Sequence, residues 1–136
     1  MSGELLFVYG SLRSDVKSSW QVLMAGAQHL GYAYVQGRLY AMADYPGLIA
    51  SACKKAHVTG ELYQICDEGL LSRLDEYEEC TAAYPAPQAY QRQYWPVYFS
   101  GVWVWAWVYV YQLETAQLPL ILSGDYRQWQ QHNEML

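Results

Sequence analysis

Positive charge is scarce in this sequence. Eight Lys and Arg face thirteen Asp and Glu, the formal net charge is −5, and the nearest thing to a basic cluster is Lys54-Lys55. Nucleic acids and anionic membranes are held by basic surfaces, so neither is expected as a main partner. Cysteine is equally sparse: Cys53, Cys66 and Cys80 lie far apart with no CxxC spacing. An odd count without a secretory signal points to reduced thiols rather than a disulfide framework. His29, His57 and His132 are the only histidines, and no spacing links them to a cysteine as ligands or as a catalytic pair. A zinc site and a Cys–His nucleophile therefore lack support, and no metal is expected. Long apolar runs are missing too, the best being residues 102–111, about half of the ~20 residues a membrane helix needs. The start, MSGELLFVYG, has neither a basic opening nor a long apolar core, so no signal peptide is expected and a cytoplasmic location follows.

What the chain has in quantity is aromatic and apolar side chains. Hydrophobic residues make up 53% of 136 residues, with 14 Tyr and 6 Trp. That length is one average domain, and this content excludes disorder and supplies a substantial core. No repeat, linker or low-complexity stretch divides residues 1–136, so a single α+β domain is expected.

The pattern along the chain predicts its elements. Glu4-Leu-Leu-Phe-Val-Tyr9 reads as a buried strand entering a glycine turn at Gly10-Ser-Leu-Arg13. Residues 18–25 have serine starts and helical apolar spacing, with Gly26 as a stop. Residues 29–43 alternate like a curved strand pair bent at Gly31 and Gly37. Tyr45-Pro-Gly-Leu48 reads as a turn, and residues 57–65 as a strand. Asp67 is the expected N-cap of a helix reaching about Glu79. A loop with two prolines follows over residues 80–88, then a hairpin of residues 90–99 and 102–111 around Ser100-Gly101. A short polar segment closes the chain after Ser123-Gly124-Asp125. In the last strand Trp103, Trp105, Trp107, Tyr109 and Tyr111 alternate with Val and Ala, so both faces are apolar, as in a central strand covered on both sides. The aromatic face would suit a helix or a homodimer contact.

Two places could carry chemistry. In Tyr9-Gly10-Ser11-Leu12, glycine admits positive φ, and successive main-chain N–H groups could hold an oxygen anion; the alternative is a plain turn. On the helix, about 100° per residue puts Leu70, Leu71, Leu74 and Tyr77 on one stripe, with Glu78 inside it and Glu76 and Glu79 on the water side. A buried carboxylate near a helix C-terminus is pushed towards its neutral form, which suits a general base or acid. The alternatives are an ion pair, for instance with Arg92, or a frayed end.

Phe7-Val-Tyr-Gly-Ser-Leu12 resembles the FVYG(S/T)L signature of the gamma-glutamylcyclotransferase-like family. Leu74-Asp-Glu-Tyr-Glu-Glu-Cys80 followed by Tyr90-Gln-Arg92 is similar to that family's LDxxE…YxR segment. Tyr45-Pro-Gly-Leu48, Gly60-Glu-Leu-Tyr63 and Val108-Tyr-Val-Tyr111 fall in the same order, and the tail resembles that of bacterial members. The resemblance implies a mixed, barrel-like β-sheet with a few flanking helices and a polar pocket. It implies release of 5-oxoproline from gamma-glutamyl peptides or amines, a transferase or lyase type of chemistry, with no metal or organic cofactor. The substrate loop would map to Tyr9, Gly10, Ser11 and Leu12 and the catalytic glutamate to Glu78. Tyr90 and Tyr111 are then expected as pocket walls and Arg92 as an ordering residue. Many members carry Gly after the catalytic Glu where this chain has Glu79, and its loop over residues 80–89 is longer. The alternatives to an enzyme are a catalytically silent binder of small carboxylates, or a homo-oligomeric interaction module presenting Trp103, Trp105 and Trp107.

Overall fold

The computed structural model describes residues 3–16, 19–43 and 45–134. The strands are β1 (Leu5–Val8), β2 (Ala27–Ala41), β3 (Pro46–Ala50), β4 (His57–Ile65), β5 (Tyr90–Phe99) and β6 (Val102–Tyr111). The helices are α1 (Leu70–Tyr77) and α2 (Tyr126–Glu134), preceded by a 3₁₀ helix over Ser19–Gly26. The sheet order is β3-β2-β4-β1-β6-β5, and β5 pairs back onto β2 through Tyr34 and Tyr98. Five strands thus close into a barrel, with β3 added outside on β2. β1 runs parallel to β6 and the other pairings are antiparallel, so the barrel is mixed.

Alternation along the strands divides the apolar residues between two cores. Phe7, Val35, Val58, Val97, Ala106 and Val108 fill the barrel interior, with Tyr126 and Trp129 of α2 packed on the same cluster. Leu6, Val8, Ile65, Tyr109 and Tyr111 point the other way and meet Leu70 and Leu74 of α1. Both leucines are fully buried, each stabilising the docked helix by roughly 1.5–3 kcal/mol. The two-sided reading of β6 holds in its C-terminal half. Near the hairpin the strand leaves α1 behind, and Trp103 and Trp105 are more than half exposed.

Several local expectations are corrected. Residues 27–41 are one strand, not a pair. A bulge between His29 and Gly31, where φ is +148°, supplies the curvature by bending one strand. The expected turn at Tyr45-Pro-Gly-Leu48 is instead the start of β3, where Pro46 is tolerated because it lies on an edge strand. Asp67 does not cap α1: Gly69 holds the cap position, and Asp67 accepts the Gly69 N–H in a local turn (2.9 Å) while pairing with Arg73. The N-terminal helix is 3₁₀ rather than α, and its expected first residue, Ser18, lies outside the described residues. The polar tail forms α2.

The end of α1 matters most for function. Glu78 is its C-cap; Glu79 N–H bonds to Glu76 C=O (3.1 Å) and Cys80 N–H to Asp75 C=O (3.0 Å). This pair of bonds is a Schellman closure, and it forces Glu79 to φ +56° where glycine is usual. A side chain there costs on the order of 1 kcal/mol.

Candidate active site

β1 ends against β4, and the chain then turns sharply, Arg13 N–H bonding to Gly10 C=O (3.0 Å). The positive φ expected at Gly10 is absent. The glycine is required by crowding instead, because a Cβ there would lie 2.9 Å from ring carbons of Pro46. Within the described residues the N–H groups of Gly10, Ser11 and Leu12 make no hydrogen bond, which leaves three adjacent donors in one turn. Gly10→Val should therefore push Pro46 away and weaken ligand binding at least tenfold with the barrel intact. Titration with 5-oxoproline alongside circular dichroism checks this, and unchanged affinity would reject it.

A buried polar network, not foreseen from the sequence, pins this turn. The Arg13 side chain is only 1% exposed; it forks onto Asp15 (2.8 and 2.7 Å) and reaches Asp125 (3.0 Å). Glu61 of β4, also 1% exposed, accepts the Ser14 N–H (2.6 Å), the Ser14 hydroxyl, Tyr63 OH (3.2 Å) and a contact from His29 (3.2 Å). Strand alternation sets Glu61 on the face opposite Val58 and Leu62. Read locally, that face looks solvated, and only the loop folded over it buries the carboxylate.

The turn lines a cavity of about 850 Å³ with Glu78, Tyr77, Pro46 and Tyr90. Its floor is tyrosine. Tyr9 OH donates to Tyr109 C=O (2.6 Å) and accepts from Leu48 N–H, and Tyr90 OH donates to Pro46 C=O (2.7 Å). Burial holds both phenols far above their usual range, so at neutral pH they are walls and donors rather than bases. Ser11 Oγ and Tyr77 OH, 2.9 Å apart, tie the turn to α1. The exposed lining residues Tyr45, Glu79, Pro85, Pro87 and Leu113 mark where the cavity opens.

Glu78 is largely buried and lines this cavity, and its carboxyl makes no hydrogen bond to the described residues. Burial first, and the negative charge of Asp75 second, lift its carboxyl from 4.5 to about 7. The ion pair with Arg92 weighed above does not form. Arg92 binds Asp75 in a fork (2.8 and 3.1 Å), lies over the Trp107 ring at 4.5 Å, and leaves Glu78 unpaired. Tyr109 OH completes the Asp75 site at 2.6 Å. Of the expected pocket residues, Tyr9, Gly10, Ser11, Leu12, Glu78 and Tyr90 line the cavity, whereas Arg92 and Tyr111 do not. Tyr111 stands behind Tyr90, ring centroids 5.6 Å apart. Glu79 is exposed, on the water side as the helical wheel places it, and also lines the cavity. Cys80 is pushed up to about 11 by burial and by Asp75 and Glu78, hence a thiol at neutral pH. Among the described residues no three His, Cys, Asp or Glu gather in a metal-binding group, and no helix is long and apolar enough to cross a membrane.

A closed mixed barrel thus bears a pocket lined both by the largely buried, unpaired Glu78 carboxyl and by a turn with free main-chain donors. The chain belongs to the gamma-glutamyl cyclotransferase, AIG2-like family, whose model matches residues 6–128. An AIG2-like protein from Mus musculus is 28% identical, with 90% of this chain and 87% of that one covered and a TM-score of 0.70. The ytfP protein of Escherichia coli is 34% identical over 90% of this chain and 95% of its own, with a TM-score of 0.62. YkqA of Bacillus subtilis shares the fold at 24% identity and a TM-score of 0.76; the match covers 99% of this chain but only 44% of that one. Comparison with curated proteins gives no match.

Proposed function

We propose that this chain is a cyclotransferase that releases 5-oxoproline from a gamma-glutamyl amine or peptide, with Glu78 as general base. The supporting observation is the largely buried, unpaired carboxyl of Glu78, lifted to about 7, in the same cavity as the free N–H groups of residues 10–12. Glu78 takes a proton from the substrate's α-ammonium. The freed amine attacks the γ-carbonyl carbon, forming the new C–N bond of a five-membered lactam. The main-chain donors hold the substrate's carboxylate or the developing oxyanion. As the bond to the leaving amine breaks, Glu78 passes its proton to that nitrogen; it then takes the second proton from the attacking nitrogen, which leaves a neutral lactam, and gives it up to the departing amine, which leaves as its ammonium. Because attack is intramolecular, the pocket's main task is to hold the substrate folded, and the tyrosine floor supplies a rigid wall for that.

The direct test is 5-oxoproline release, screened across gamma-glutamyl amines and dipeptides. Binding without release from any of them would favour the silent binder. Turnover should survive exhaustive chelation, since the sequence offers no Cys/His ligand set; reversible loss restored by zinc would contradict this.

A further inference from the structure

We propose that the outer face of the β5–β6 hairpin is a two-fold interface with a second copy of this chain, in which Trp105 of each subunit enters a groove beside Trp103 of the other. The face stands apart from the cyclotransferase site: Trp103 and Trp105 lie near the hairpin end of β6, and the cavity is lined from its other end by Tyr109. Strand alternation builds it. Tyr34, Tyr94, Pro96, Tyr98, Trp103 and Trp105 share the outer side of β2, β5 and β6. Their rings meet in series, Tyr34 on Tyr98 at 4.9 Å, Tyr98 on Trp103 at 5.1 Å, and Tyr94 stacked on Trp105 at 5.7 Å. None of the six is charged, and a face rich in Trp and Tyr but depleted of charge is what marks the core of a protein interface. Trp103, Trp105 and Tyr94 are 55%, 57% and 47% exposed. From the area an aromatic side chain can bury, these three alone leave roughly 250–400 Å² bare. The exposed Val102 and Pro96, with the partly exposed Tyr34 and Tyr98, extend this towards the ~600–800 Å² that each partner buries in a standard interface.

The groove has a cause in the sequence. β5 pairs with β2 at a single position, Tyr34 with Tyr98, and the next pair in that register would set Gln36 against Pro96. Proline has no N–H to give, so the ladder ends there. The strands part and leave a groove of about 430 Å³ lined by Gln36, Ala50, Trp95, Pro96 and Trp103. Trp105 stands beside it, opposite Pro96 in the hairpin. Projection and groove thus share one face, which is the self-complementarity that an isologous contact needs. A sugar or a peptide filling the groove would leave Trp105 bare; a second copy covers both. Gln36 Nε2 donates to Ser51 C=O (2.6 Å), leaving Oε1 as the acceptor for an entering indole N–H.

Sedimentation velocity over ~2–200 µM protein reads the interface without depending on turnover. The wild type should pass from monomer to dimer and stop there, with a Kd of about 1–50 µM, the weak end for an interface of this size. Trp105→Ser removes the projection, and Ala50→Phe fills the groove with Trp105 intact. Each should weaken the dimer at least ~30-fold, the effect of a central tryptophan hot spot. Trp105 and Ala50 are both exposed, so the variants should melt close to wild type. Leu122→Ser, at an 89% exposed leucine away from the hairpin, is the control and should dimerise as wild type does. Affinity should hold or tighten between ~50 and ~500 mM NaCl, because no ion pair crosses the face and salt screens the repulsion between two negative chains. A wild type still monomeric at the highest concentration overturns the proposal; if an oligosaccharide or an aromatic peptide then shifts its indole fluorescence, the face belongs to that ligand. A dimer indifferent to both substitutions, one that dissociates in the higher salt, or assembly that grows past two copies would overturn it as well.

Discussion

Glu78→Gln should fold, bind its ligand and lose about 10²–10⁴-fold in kcat/KM, the usual contribution of a positioned general base. Glutamine keeps the shape and hydrogen-bonding capacity of the side chain but cannot take the ammonium proton. In the wild type, kcat/KM should rise with pH through an acidic limb centred near 7, the value to which burial and Asp75 lift this carboxyl; the variant should lack that limb. Stability provides a second signature. The folded value lies above the ordinary 4.5, so the native state holds the proton more tightly than the unfolded chain. Below pH 4.5 the group is neutral in both states and costs nothing. Between 4.5 and about 7 the cost of ionising it in the fold grows, and above 7 it is complete. At 1.36 kcal/mol per unit, trimmed for partial exposure, the cost is about 1–2 kcal/mol. Glu78→Gln should therefore melt several degrees higher than wild type at pH 8 and level with it at pH 4. Glu76→Gln, at an exposed carboxylate outside the cavity that accepts from Tyr84 OH, serves as the control and should leave turnover unchanged. Wild-type rates in Glu78→Gln would remove the base assignment. Unfolding of that variant would make the carboxylate structural.

Arg13→Met should cost about 3–5 kcal/mol of folding stability, the range for breaking a buried ion pair by deleting one partner. For a domain of this size that lowers Tm by roughly 10–20 °C. The guanidinium is almost fully buried and serves Asp15, Asp125 and the Thr59 carbonyl (3.4 Å) together. Methionine fills the space but leaves three acceptors without their donor. Burial alone would raise the Asp15 carboxyl; hydrogen bonds from Arg13 and Tyr32 outweigh it and hold the group below 3.8. A depressed carboxyl contributes stability above its ordinary value and loses it as pH falls through the folded value. The gap between wild type and Arg13→Met should thus narrow in melts below about pH 4. A loss under about 1 kcal/mol in denaturant titrations would show that the fork is dispensable.

The inward placement of Glu78 was legible because it is a property of one helix turn. Leu70 and Leu74 are the residues that dock α1, and a carboxylate four positions after Leu74 follows them inwards whatever the rest of the fold does. The hairpin of β5 and β6 was legible for the same kind of reason, since strand alternation around Ser100-Gly101 needs no distant partner. Glu79 is exposed, as the wheel has it, but the wheel assumes a helix that continues and so misses both the closure through Glu76, Asp75 and Cys80 and the place of Glu79 in the cavity lining.

The sequence by itself determined the α+β class, most of the strands, the glycine turn after β1 and the carboxylate that faces inwards. Each of these follows from composition or from periodicity over a few residues, where side-chain direction is dictated by the local backbone. Only the tertiary structure decided that β5 returns to β2 and closes the barrel, that Arg92 serves Asp75 rather than Glu78, and that Gly10 is needed for contact with Pro46 rather than for positive φ. It also decided that the Arg13 and Glu61 side chains lie in the interior. Each of these depends on partners brought together from distant parts of the chain, such as Arg13 with Asp125, and no local pattern specifies which distant donor meets which acceptor.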